Sequence, residues 1–391
     1  MKIKTSTALL FLTLASLPAA SPPEPKFRAV EIDAKIQIGY GLAIADVDGD
    51  GKPDILLADK KQFVWYKNPT WEKHVLAENL TPEDNVCIAA ADLDGDGKCE
   101  IAVGAGWNPG DTVNSGAVFY LIPPADRTQK WEAVPLHHEP TVHRMKWVRT
   151  SSSQFQLVVV PLHGRGNKNG AGDGVRILAY QMPADPKQPW KTEVVSDQLH
   201  LTHNFNPMPR ASAAQEMLVG GKEGIFSCIP QKGQWTVRQL FDSAAAGSKG
   251  VGEIRAGRVA SSPIFATVEP MHGNALCVYR TGSSGLQRTV LDESLDDGHA
   301  LACADFLGTG SDQIAVGWRA MNKPKEIKVG IKLFTPLDAE GKSWRTTLVD
   351  DNTMACEDLV VADLNGDGRP DIIAAGRATK NVKIYFNETA K

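Results

Sequence analysis

A four-part phrase recurs along the chain, and its last copy is divided between the two ends. Short apolar runs such as DILLA, EIAVGAG, QLVVVPL, EMLVGG, PIFATVE, QIAVGW and DIIAAG are separated by Gly-, Pro- and Asp-rich turns. Helical periodicity is nearly absent, so the pattern is one of short strands. A second marker is an aromatic or large apolar residue with an apolar residue five places later. It occurs at Trp71 and Leu76, Trp131 and Leu136, Trp190 and Val195, Trp235 and Leu240, Leu286 and Leu291, and Trp344 and Val349. Each copy follows a strand such as FVWYKN, AVFYLI, VRILAY or IKLFTP. One unit therefore reads strand A, B, C, D over about 45–60 residues, the size of a propeller blade. The seventh unit stops after strand C at Asn387, while a D-type strand, FRAVEI, stands before the first blade at residues 27–32. The first and last blades of a closed ring are neighbours, so this strand completes the last blade and leaves no open sheet edge. The expected fold is all-β: a seven-bladed β-propeller of four-stranded blades over residues 22–391, closed by an N-terminal strand. Two stacked sandwiches would leave the displaced strand without a role.

Residues 1–21, MKIKTSTALLFLTLASLPAAS, combine a basic tip, an apolar run from Ala8 to Leu17 and small residues at the end. This is the pattern of a signal peptide, and it predicts a secreted or periplasmic protein. The run is too short to span a bilayer, so no membrane span is expected. A net charge of −4 over 391 residues gives no nucleic-acid footprint. The six cysteines are sparse and lie mostly in apolar strand-like runs, which reads as buried small hydrophobes, with any pairing left open.

Three turns between strands A and B carry acids on alternate positions. They are Asp46, Asp48, Asp50 and Asp54 in blade 1; Asp92, Asp94, Asp96 and Glu100 in blade 2; and Asp363, Asn365, Asp367 and Asp371 in blade 7. Calcium takes several hard oxygen ligands, which alternate residues of a Gly-containing turn supply together with a backbone carbonyl, here that of Lys52, Lys98 or Arg369. An EF-hand is excluded, because position 12 is Leu57, Val103 or Ala374 and the flanks are strands. The turns resemble FG-GAP/VCBS propeller repeats, which implies structural calcium. Blade 6 keeps Asp305 but has Leu307 and Thr309 at the next two positions, and blades 3, 4 and 5 lack the motif.

Alignment on these turns places the opposite ends of the strands. Strand A begins near Tyr40, His143, His203, Glu253, His299 and Glu357. Strand B exits through His163 and Arg165, Lys222 and Glu223, Glu269 and His272, Trp318 and Arg319, and Arg377 and Lys380. Five of the nine histidines, His143, His163, His203, His272 and His299, thus share one face, with His200 close by. Imidazoles beside carboxylates hold a divalent transition metal such as zinc, or act as acid and base near neutral pH. Arg165, Trp318, Arg319, Arg377 and Lys380 are candidates for holding a hydroxyl-rich ligand.

The combination of PLHGRG, LTHNFNP, VEPMHGN and DGHALACADF with the acidic turns resembles the propeller part of aldos-2-ulose dehydratases. These are carbohydrate lyases that eliminate water from keto-sugars such as 1,5-anhydrofructose. The resemblance implies a metal-assisted β-elimination on a keto-sugar or keto-glycoside. His143, His163, His203, His272 and His299, with Glu269 and Glu357, would be divided between metal binding and acid–base work. The alternatives are a non-catalytic propeller that binds glycans or a protein, and a polysaccharide lyase acting on uronates.

Overall fold

The structure is a computed structural model and describes residues 21–390 except 211–212, 232, 284 and 321–327. The expected signal peptide therefore lies, apart from Ser21, outside the described residues. Seven four-stranded antiparallel sheets form the ring. In six of them the strands follow chain order, as in blade 1: Gly41–Ala45, Asp54–Ala58, Gln62–Lys67 and Glu72–Glu78. The seventh is built from Cys356–Ala362, Asp371–Gly376 and Asn381–Asn387, with Phe27–Asp33 as its fourth strand. Phe27 faces Asn387 and Val30 faces Ile384 in that pairing. The expected closure is thus seen in full.

The apolar core is distributed as seven clusters, each drawn from two neighbouring blades. Leu56 and Trp65 of blade 1 meet Ile88, Ile101 and Val103 of blade 2. The series continues around the ring to Ile36, Leu42 and Leu57 of blade 1 against Ile373 and Ile384 of blade 7. Alternate side chains of each strand point to opposite sheet faces, so every blade feeds both of its neighbours. The closing strand joins this packing, with Phe27 edge-on to Phe306 of blade 6 at 5.9 Å between centroids. Blades approach closely where side chains are smallest: a Cβ on Gly317 of blade 6 would sit 2.5 Å from Cys356 of blade 7. All six cysteines are free thiols, five buried and Cys303 partly so.

Removing residues 27–33 exposes the last strand of blade 7 and opens one wedge of the core. The midpoint of thermal unfolding should fall by roughly 10 °C or more, since each 1 kcal/mol lost shifts a large domain by a few degrees. An unchanged cooperative melt by circular dichroism would contradict the closure argument.

Candidate functional site

Each inner strand A runs along the ring axis, and four of them are irregular at the same end. The pairing of strands A and B breaks register between Val142 and Arg144 in blade 3, Thr202 and Phe205 in blade 4, Gly298 and Ala300 in blade 6, and Cys356 and Asp358 in blade 7. The unpaired residues are His143, His203 with Asn204, His299 and Glu357. Blades 1, 2 and 5 pair without a break. A bulge adds one residue and re-aims its side chain, and these bulges turn the named groups toward the axis. His272 arrives differently, from the turn after strand B of blade 5, with φ at 51°. A non-glycine residue in that region is uncommon and is held by its surroundings.

The histidines converge. The ring nitrogens of His203, His272 and His299 lie within 4.8 Å of one another, and Nε2 of His203 is 2.8 Å from Nε2 of His272. The other nitrogen of each flanking ring is already engaged. Nδ1–H of His143 donates to the His203 carbonyl at 2.9 Å, and Nδ1–H of His299 donates to the Glu357 carbonyl. Nδ1 of His203 sits 3.0 Å from Glu253 Oε1 but off the hydrogen-bond axis, an electrostatic contact. Such outer partners fix ring orientation and leave Nε2 lone pairs to face inward.

Burial sets the charge state. It pushes His143 and His299 well below the ordinary histidine range, and Arg144 and Arg319, respectively, add to the effect. His272 is lowered to about 2 by burial and then by His203 and Arg319. His203 is lowered by burial against the opposing pull of Glu253. Burial raises Glu253, but Arg255 and then His203 outweigh it and hold its carboxyl well below the usual range. The cluster is therefore one of neutral imidazoles with a carboxylate behind it, the protonation state that metal binding requires. Three imidazoles with no fourth ligand grouped with them among the described residues fit a zinc site that keeps a position open.

The remaining groups divide by place. Arg319 bridges Asp297 at 3.0 Å and Glu357, and its Nη2 lies 3.5 Å from His272 Nδ1. Arg377 pairs with Glu357 at 3.2 Å and lies over the Tyr40 ring. His163, Arg165, Trp318, Glu269 and Lys380 are not brought into the cluster. His163 bridges to Leu201 with Nδ1 buried and unpartnered. Arg165 pairs with Glu139. Trp318 is packed between blades 5 and 6 and donates to the Lys328 carbonyl. Glu269 faces away from the axis and accepts from Thr267, Tyr279 and Arg288. Lys380 is exposed. Three neighbours escaped the alignment: Trp107, stacked on His143 at 4.9 Å; Arg144, whose Nη1 is 3.2 Å from His143 Nε2; and Asp297, 4.0 Å from His272 Nδ1. Trp107 belongs to the strand B exit of blade 2, the same row that supplied the other exit candidates.

The acidic turns lie at the other end of strand A. In blade 1, Asp46 accepts from the Gly49 and Gly51 amides, and buried Asp54 accepts from Val47 and Asn68. Asp92 accepts from Gly95 and Gly97, and Asp363 from Gly366, Asp367 and Gly368. Glu100 and Asp371 repeat the role of Asp54. Blade 6 forms the same turn with Asp305 and with Gln313 at the ninth position. The first and ninth residues therefore make the contacts that all four turns share, while the third and fifth in blades 1, 2 and 7 each accept the amide two residues on. Carboxylate oxygens of Asp46, Asp48 and Asp50 cluster within 4.8 Å, as do those of Asp92, Asp94 and Asp96. The Lys67 ammonium lies on Asp48 and Asp50, whereas no cationic side chain pairs with the blade 2 trio among the described residues.

A histidine whose folded-state pKa is depressed contributes stability that is complete above the unfolded value and is lost as pH falls below it. In chelator-treated protein the unfolding free energy should thus decline below about pH 6.5, by up to about 1.4 kcal/mol per pH unit for each buried ring. His299→Gln should flatten that slope between pH 6 and 4 in denaturant titrations, and an unchanged slope would show that the ring is not held neutral.

Residues 115–281 match the family model of the aldos-2-ulose dehydratase β-propeller domain. Residues 42–103 match an FG-GAP-like repeat and residues 88–121 an FG-GAP repeat. The first match contains His143, His163, His203 and His272 and ends before His299. No curated protein matches the chain. Among solved structures, a chain of the mitotic checkpoint complex superposes with a TM-score of 0.57 at 11% identity, covering 98% of this chain and 97% of that one. A lectin of Agrocybe aegerita specific for non-reducing terminal N-acetylglucosamine gives 0.52 at 11% identity, over 90% and 86%. At such identities the likeness is one of fold. The chain is a seven-bladed β-propeller with FG-GAP repeats, whose middle blades match the propeller domain of aldos-2-ulose dehydratase.

Proposed function

We propose that the chain is a secreted or periplasmic carbohydrate lyase that eliminates water from a keto-sugar at the histidine cluster. The observation that carries this reading is the convergence of His203, His272 and His299, with His299 Nδ1 donating to the Glu357 carbonyl and His203 Nδ1 against Glu253. The match over residues 115–281 points to the same chemistry. His203, His272 and His299 would hold a divalent transition metal, which when bound polarises the substrate carbonyl. Arg319 adds a buried cation beside it for the developing enolate oxygen. Asp297 has one oxygen on Arg319 Nε and stands at the open edge of the cluster, where a carboxylate can take the proton α to the carbonyl. Tyr40 has its phenol pushed up to about 12 by burial, so it stays protonated and can donate to the departing hydroxyl. Its hydroxyl reaches Asp84 at 3.4 Å. The carbon-bound hydrogen and the neighbouring hydroxyl leave as water, and the product is an enone.

The test is metal analysis together with near-ultraviolet absorbance on 1,5-anhydrofructose and keto-glycosides. Bound zinc and growing enone absorbance are expected. His272→Ala should lose the metal, and Asp297→Asn should keep it while turnover falls by about 10²–10⁴-fold. His163→Ala should be nearly neutral. A metal-loaded chain inert on the whole panel would leave the glycan-binding alternative standing.

We also propose that the acidic turns of blades 1, 2 and 7 hold structural calcium. Burial, and then Asp48 and Asp46, push Asp54 up to about 6, a crowding that a cation would relieve. Calcium at a hundredfold excess over its dissociation constant should add about 2.7 kcal/mol per site, raising the melting midpoint by several degrees. Asp94→Asn with Asp96→Asn should abolish the blade 2 share without unfolding the turn. A midpoint insensitive to chelation would overturn this assignment.

A further inference from the structure

The ring axis holds a second chamber below the histidine cluster. It is a cavity of about 370 Å³ lined by the middles of the inner strands, from Leu42, Ala43 and Cys87–Ala91 to Arg144–Trp147, Arg255, Asp358 and Val360. Ala91 and Gln215 lie at its end near the acidic turns, so it opens on the face opposite the histidines. No histidine lines it.

Its charges do not balance. Arg144 is 7% exposed, and its contacts are the ring and carbonyl of His143; its Nε is buried without an acceptor. It makes no ion pair among the described residues. Lys146 lines the same wall with its ammonium 5.8 Å from the Phe205 ring centroid, and among the described residues it forms no ion pair either. Burial, and then Arg255, lower its amine to about 7. Arg255 is spoken for by Glu253 at 3.1 Å. Asp358 gives its oxygens to the amides of Leu42 and Leu359. Of the three basic side chains on this wall, Arg144 and Lys146 thus pair with no carboxylate among the described residues, and Asp358, the carboxylate in the lining, is held by amides. An uncompensated buried charge costs several kcal/mol, and the usual remedy is a counter-ion.

We propose that this chamber binds a small organic monocarboxylate, its carboxylate between Arg144 and Lys146 and its apolar body along the alanine-rich wall of blades 1 and 2. Arg144 and Lys146 stand two residues apart on one strand and both line the chamber, a spacing that suits a single carboxylate. The volume is about ten times that of one water, larger than a halide needs. The wall of Leu42, Ala43, Ile88, Ala89 and Ala90 offers an apolar body a dry surface. The site shares Arg144 with the edge of the histidine cluster, while the binding proposed here does not rest on the chemistry proposed there.

The experiment is titration calorimetry and thermal melting of the full chain with acetate, butyrate and hexanoate at constant ionic strength, with bromide and hexanamide as controls. Saturable binding that tightens from acetate to hexanoate is expected, with no response to hexanamide. Lys146→Met and Arg144→Gln should each weaken hexanoate binding at least tenfold while circular dichroism stays native. If Arg144→Gln does not fold, Lys146→Met decides. Equal effects of bromide and hexanoate would overturn the carboxylate assignment. Absence of saturable binding, or affinity unchanged in Lys146→Met, would overturn the site.

Discussion

Packing between neighbouring blades is the constraint on which the rest of the molecule depends. Each sheet is apolar on both faces and buries them against the blade before and the blade after, so the core is seven wedges rather than one centre. Such an arrangement is stable only when it has no first or last face, which is what the pairing of Phe27–Asp33 with Asn381–Asn387 achieves. It also relieves the axis of any duty to be apolar. Histidines, arginines and carboxylates can therefore occupy the inner strands, where burial shifts their protonation without weakening the sheets around them.

Within that frame, the two ends of strand A are specialised by different means. At one end a short Asp–Gly turn makes the connection to strand B. The comparison with blade 6 separates its two jobs: Asp305 and Gln313 reproduce the contacts of the first and ninth positions with Leu307 and Thr309 at the third and fifth. The carboxylates at the third and fifth positions of blades 1 and 2 each accept one further amide, a contact that Leu307 of blade 6 does without. At the other end, a one- or two-residue bulge carries His143, His203, His299 and Glu357, and His272 joins them from the turn after strand B of blade 5. The cost of a broken ladder is borne next to the site, where the freed backbone carbonyls of His203 and Glu357 accept the Nδ1–H groups of His143 and His299.

Much of this was legible in the sequence. The recurrence of strand phrases and the displaced FRAVEI strand fixed blade number and closure, and the turn aspartates oriented the strands well enough to place His143, His203, His272, His299 and Glu357 together. What could not be read was which sheet face each strand-end residue takes. Trp318 and Glu269 stand at the right height in sequence, yet one fills an inter-blade wedge and the other faces Tyr279 and Arg288. A side-chain period of two makes a one-residue error invert the direction, and bulges introduce that shift where it matters most. Trp107 and Arg144 were hidden for related reasons: one occupies an exit whose blade has no histidine, and the other follows His143 at a register break.

The closing strand also has a consequence in time. During synthesis, residues 27–33 leave the ribosome before any blade exists, and their partner at 381–387 follows only after the six blades between them. The earliest strand must wait, unpaired, through the assembly of six blades, and its contact spans nearly the whole chain, the kind of closure that is slow and exposes edges to other chains. The final cooperative step is therefore expected to be the meeting of the two ends, and the axial site comes into being only then, because its four bulged strands are drawn from both halves of the ring.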